Sequence, residues 1–164
     1  MFFGATLGQQ FCYTTSDCYV NFAFPAHEGV PALNPLGKAY HDGRTGLMEE
    51  YNEGLTKIYN RFHDREETSP DIERLRELHA AMDRAVLESY GWHDLAAAAE
   101  PRFIEQEADE GKKTKTRLDW PPEFKDEVLA RLLALNAERA AEERAAGLVA
   151  APEDEEEVDE DEAA

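Results

Sequence analysis

Five side chains near the middle of the chain bring together the polar chemistry that spacing can align. They are Lys57, Tyr59, Asn60, Arg61 and His63, within Thr56-Lys57-Ile58-Tyr59-Asn60-Arg61-Phe62-His63. On a helix Lys57 and Arg61 stand at i and i+4 and share a face. Two cations so placed can meet phosphate, Asn and Arg can reach base edges, and Tyr, Asn and His supply hydrogen bonds. The same spacing also describes a helix end whose cations favour its own C-terminal dipole and pair with Glu53 and Asp64. A second basic stretch, Lys112-Lys113-Thr114-Lys115-Thr116-Arg117, follows closely on Glu100, Glu105, Glu107, Asp109 and Glu110, which weakens it as a nucleic-acid signal. His63-Asp64 can polarise each other, but a solvated loop explains the pair more simply. His79, beside an apolar stripe, is expected to be a packing residue rather than a metal ligand. Cys12 and Cys18 have no Cys or His pair at zinc-ligand spacing nearby, so they are expected to be structural thiols.

Self-contained catalytic sites leave no trace in the sequence. No Gly-rich strand-to-helix loop, Walker sequence, Gly-x-Ser-x-Gly elbow or His-Glu-x-x-His is present. No catalytic residue, cofactor ligand or metal ligand is assigned in this chain.

The elements that must hold the polar cluster are mainly helical. From Phe11 to Pro25 aromatic and β-branched residues surround Ser16-Asp17, which predicts two short extended segments. Asn34-Pro35 offers a cap followed by proline, and the first long helix is expected to start there. Leu47, Met48, Tyr51, Leu55, Ile58, Tyr59 and Phe62 recur at three- and four-residue steps and predict one apolar face through residue 62. Gly37, Gly43, Gly46 and Gly54 each weaken a helix by about 1 kcal/mol, so fraying is expected in the first half. Ser69-Pro70-Asp71 starts a second helix with Ile72, Leu75, Leu78, Met82, Ala85 and Val86 as its stripe, ending at Tyr90-Gly91. A short loop between the two predicts antiparallel packing. Phe103-Ile104-Glu105 and Thr114 to Leu118 flank Ala108-Asp109-Glu110-Gly111-Lys112, predicting a small hairpin. Trp120-Pro121-Pro122 opens a C-terminal helix with Phe124, Val128, Leu132 and Leu135 on one face, ending at Gly147. The division expected is an extended segment over 1–34, a helical module over 35–147 and an acidic tail over 148–164.

Charge narrows the partners. With 36 acidic and 17 basic side chains the 164-residue chain carries a formal charge of -19. Such an excess opposes nonspecific binding to DNA or anionic membrane. Nine of the ten residues 153–162 are acidic, a block that repels itself and is expected to be disordered. No apolar run approaches the roughly 20 residues of a membrane helix, and Met1-Phe2-Phe3-Gly4-Ala5 lacks a basic n-region, so a cytoplasmic location is expected.

Several segments also resemble one family. Tyr13-Thr14-Thr15-Ser16-Asp17-Cys18 with Phe22-Ala23-Phe24-Pro25 resembles the segment that closes the specificity region of large bacterial restriction-modification adenine-specific DNA methyltransferases. Glu53 to Asp64 is similar to the helix that follows there. Pro70-Asp71-Ile72 through His79, Met82-Asp83 and Tyr90-Gly91-Trp92 is similar to the next helix, and Val128 to Arg139 to the C-terminal one. The resemblance covers about residues 11–146 in the same order.

It implies a noncatalytic C-terminal module on the DNA-recognition side of such an enzyme, bracing the specificity domain. The intact enzyme would transfer a methyl group from S-adenosylmethionine to adenine. Its methyl-donor loop and Asn-Pro-Pro-Tyr tetrapeptide have no match here; Asn34-Pro35-Leu36-Gly37 lacks the second proline and the aromatic ring. The resemblance therefore implies DNA as a partner of a larger assembly, a protein partner carrying the methyltransferase domain, and a split or truncated gene. Alternatives of other classes are a free-standing helical adaptor and an acidic DNA mimic. Translating the DNA upstream of Met1 in all frames should reveal the methyl-donor loop and the tetrapeptide; their absence there would favour the alternatives.

Overall fold

In a computed structural model the chain is described at residues 5–7, 10–12, 22–25, 30–106 and 115–148. It is mainly helical, as expected, and divides into two compact units, 1–23 with 131–164 and 24–130. The first unit contains β1 (Ala5–Leu7) antiparallel to β2 (Gln10–Cys12), with Ala5 opposite Cys12. The expected Ser16-Asp17 turn, the loop at 108–112 and the acidic run 153–162 lie outside the described residues.

The second unit holds the candidate site. A single 3-10 turn, Val30–Ala32, leads into α1 (Leu33–Glu50). Asn34 is therefore not the cap: it and Pro35 lie in the first helical turn, where backbone N–H groups lack acceptors and proline is tolerated. The glycine-rich half of α1 is continuous helix, and the break comes later. Asn52 adopts a left-handed φ of 49°, while its N–H and that of Glu53 donate to the carbonyls of Glu49 and Met48 at 3.2 and 3.0 Å. That double closure is a Schellman motif, and asparagine tolerates the conformation better than most residues. Gly54 then precedes α2 (Leu55–Phe62). One apolar face was expected from Leu47 to Phe62; the break rotates it, so Leu47, Ile58 and Phe62 are buried whereas Leu55 and Tyr59 remain 45% and 41% exposed.

Ser69 and Pro70 start α3 (Pro70–Ser89) where expected, with Asp71 and Glu73 complementing the dipole. The Ser69 hydroxyl makes no cap bond; its backbone N–H donates to Glu67 instead, at 3.1 Å. Gly91, at φ 77°, closes the helix, with the Gly91 and Trp92 N–H groups on the carbonyls of Glu88 and Leu87. The α1–α3 pairings run in opposite directions: the Tyr40 ring lies 5.5 Å from His79, a Cβ on Gly43 would touch Leu78, and the Tyr51 hydroxyl donates to Asp71 at 3.1 Å. That order makes the two helices antiparallel. Leu47, Ile58, Phe62, Ile72 and Leu75 form one core cluster.

A second cluster gathers Leu87, Leu95, Ala96 and Ala99. Leu87 replaces the expected Val86, which stays 37% exposed. Leu95 and Ala96 belong to α4 (His93–Ala98), too short at six residues for its period to be visible in sequence. Then β3 (Arg102–Gln106) pairs antiparallel with β4 (Lys115–Asp119), Phe103 opposite Leu118. The hairpin is thus present. Last comes α5 (Pro122–Ala145), whose Phe124 and Val128 pack on the second cluster and whose Gly147 takes φ 71° at its end.

Arg76 of α3 joins these elements. Its guanidinium donates to the carbonyls of Phe62 (2.9 Å), Glu67 (2.8 Å), Arg61 (3.2 Å) and Asp64 (2.7 Å), and lies 5.2 Å from the centre of the Phe103 ring. Replacing Arg76 with Ala leaves these carbonyls without that donor and should lower stability by about 3 kcal/mol in urea titration, with Arg76→Lys recovering part of the loss.

Candidate nucleic-acid interface

The nominated helix end does not act as one surface. Arg61 is turned inward: its Nε donates to Glu67 at 2.7 Å, Nη1 lies 3.7 Å from Glu53, and the guanidinium stacks 4.0 Å from the centre of the Tyr51 ring. Glu53 was an expected partner; Glu67, rather than Asp64, is the other, because the 63–69 loop folds back over α2. The Asp64 carboxylate instead accepts the Glu66 N–H at 2.9 Å. The hydrogen bond to Glu67 pushes the Arg61 pKa up, and Arg61, with Ser69, holds Glu67 down at about 2. Glu67 thus contributes stability at pH above its unfolded value, near 4.5, which is lost as the pH falls towards about 2. Lys57 is exposed and makes no ion pair or side-chain hydrogen bond among the described residues.

Tyr59, Asn60 and His63 come together elsewhere, on the wall of an open groove of about 920 Å³ between α2 and β4. Leu55, Tyr59 and His63, spaced at i, i+4 and i+8, line it from the helix, and Lys115, Thr116 and Arg117 from the strand. Asp64, Arg65 and Glu66 close one end of the lining. Strand alternation places Lys115 and Arg117 on the face opposite Leu118, which packs on the first core cluster. Arg65, Lys115 and Arg117 have no ion pair or side-chain hydrogen bond among the described residues. The described end of the basic stretch that the sequence left as a weak signal, Lys115 to Arg117, is therefore brought to the helix end by β4. A period-2 alternation, Lys115-Thr116-Arg117-Leu118, was the available clue.

His63 connects the two walls. Its Nδ1 accepts the Leu118 backbone N–H at 3.2 Å, so the neutral ring carries its proton on Nε2. Burial lowers the His63 pKa, and the charges of Arg117, His79 and Arg76 act in the same direction. Tyr59 is held by ring contacts to Phe62 and His63 at 6.1 and 5.6 Å. Burial and then the adjacent Tyr59 push Tyr40 up to about 12. His79 is the packing residue expected, edge-on to Tyr40 and 5.4 Å from Phe62, with its Nδ1 3.3 Å from Asp83. Its hydrogen bond to Asp83 raises its pKa.

Among the described residues no group of His, Cys, Asp and Glu is placed to hold a metal ion, and no helix is long and apolar enough to cross a membrane. The chain matches no family model, no curated protein and no solved structure.

The two histidines should titrate on opposite sides of 6.5, His63 below and His79 above, in an NMR pH series of their Hε1 resonances. Stability from His63 is present above pH 6.5 and lost as the pH falls through its lowered value; that from His79 is present below 6.5 and lost as the pH rises through its raised value.

Proposed function

We propose that this chain is a noncatalytic, DNA-side C-terminal module of an adenine-specific DNA methyltransferase of the restriction-modification kind. The observation that carries the DNA contact is the α2–β4 groove, lined by Tyr59, Asn60 and His63 and by Lys115 and Arg117, two cations with no ion pair among the described residues. The resemblance of four ordered segments supplies the methyltransferase class. In this reading the chain is cytoplasmic, its antiparallel helices brace a specificity domain, and methyl transfer from S-adenosylmethionine occurs in a part of the enzyme carried by a protein partner.

The physical division of labour follows from charge. A chain of net charge -19 is repelled by DNA as a whole, so attraction is confined to a local cationic lining. Arg65, Lys115 and Arg117 supply that lining, tempered by Asp64 and Glu66. Arg61, clamped by two carboxylates, is a positioning residue for the loop, while Lys57 remains an available phosphate contact beside the groove.

A helical adaptor is the second reading, favoured by Leu129 and Leu133 of α5, which are 54% and 53% exposed one turn apart.

Titrating a short DNA duplex into the isotope-labelled chain at low salt should shift amide resonances of 55–66 and 115–117. Lys115→Ala with Arg117→Ala should weaken binding about equally on all sequences and reduce the slope of log affinity against log salt by about 2. Shifts confined to other regions, or an unchanged slope, would return the groove to a structural role.

A further inference from the structure

The lining of the groove is unsuited to a phosphate surface alone. One wall, α2, presents Leu55, Tyr59 and His63 along about 12 Å of helix, an apolar and aromatic strip rather than a cationic one. Tyr59 keeps 41% of its surface exposed although its ring rests on Phe62 and His63. A ring exposed yet held at several points loses little freedom when another ring covers it. The opposite wall holds Lys115 and Arg117 on one face of a strand, two residues apart. Aromatic and cationic walls facing each other across about 920 Å³ match what an extended nucleic-acid strand presents, base faces on one side and phosphates on the other. A duplex presents phosphates outward and keeps its base faces stacked inside, so it would leave the Tyr59 wall without a partner.

Resting on the nucleic-acid reading above, we infer that the groove takes a single, unstacked strand, a base lying against Tyr59 and its phosphates against Lys115 and Arg117. The neutral His63, with Nδ1 already occupied by Leu118, offers Nε2–H as its donor to a base carbonyl or phosphate oxygen. Such a groove holds a strand displaced from the helix rather than the intact recognition sequence.

The test compares three probes on the full chain at low salt, by NMR titration: a thymidine hexanucleotide, a short hairpin duplex with the same number of phosphates, and tripolyphosphate. The hexanucleotide should bind about 10-fold more tightly than the duplex, with tripolyphosphate weaker still. Tyr59→Leu should cost the hexanucleotide about 10-fold and leave the duplex unchanged, while Tyr59→Phe, which keeps the ring, retains binding. Equal affinity for strand and duplex, with Tyr59→Leu silent, overturns the single-strand inference and leaves the DNA reading standing. No binding of either nucleic acid overturns both.

Discussion

One guanidinium holds the working half of this fold together. The last carbonyls of a helix have no intrahelical donor, and those of Arg61 and Phe62 at the end of α2 would otherwise face a crowded loop. Arg76, arriving from α3, donates to both and also to Asp64 and Glu67 in the loop itself, while the Phe103 ring covers its face. Arginine suits this position because its planar fork carries five donors, four of which are used here. Burial pushes its pKa down, yet the group starts so high that its charge is retained. Helix end, loop, α3 and β3 are thereby tied at one point.

The groove is built on that tie. His63, Asp64, Arg65 and Glu66 all lie in the segment whose carbonyls Arg76 gathers, and His63 in turn anchors β4 through Leu118. The Arg61–Glu67 pair fastens the same segment from the other side. Both arginines are therefore engaged within the fold. Arg61, nominated by spacing alone, is held by the partly buried Glu67 carboxylate beside it.

In the proposed function, contact between so acidic a chain and nucleic acid is local. Repulsion acts over a Debye length of about 8 Å at physiological salt, so the field of a few cations in a recess is felt locally even where the remaining surface is acidic.

Much of the secondary structure was legible along the chain. Ser69-Pro70 and Tyr90-Gly91 bounded α3, Pro122 and Gly147 marked α5, and the turn flanked by Phe103 and Leu118 became a hairpin, because caps, prolines and alternation act over a few residues. The break at Asn52 was also local, but the apolar period that continues across it masked it. What only the tertiary structure decided is which charges are paired with one another among the described residues. Arg61 and Glu67 are six residues apart, and Arg76 meets carbonyls up to 15 residues earlier, at distances set by a loop folding back rather than by helical spacing. Lys115 and Arg117 lie more than 50 residues from His63 in sequence and reach its side of the molecule only because Leu118 packs into the core and donates to the imidazole. Periodicity along a chain specifies which face is apolar; pairing between distant faces specifies which polar group is spent on the fold and which is left for a ligand.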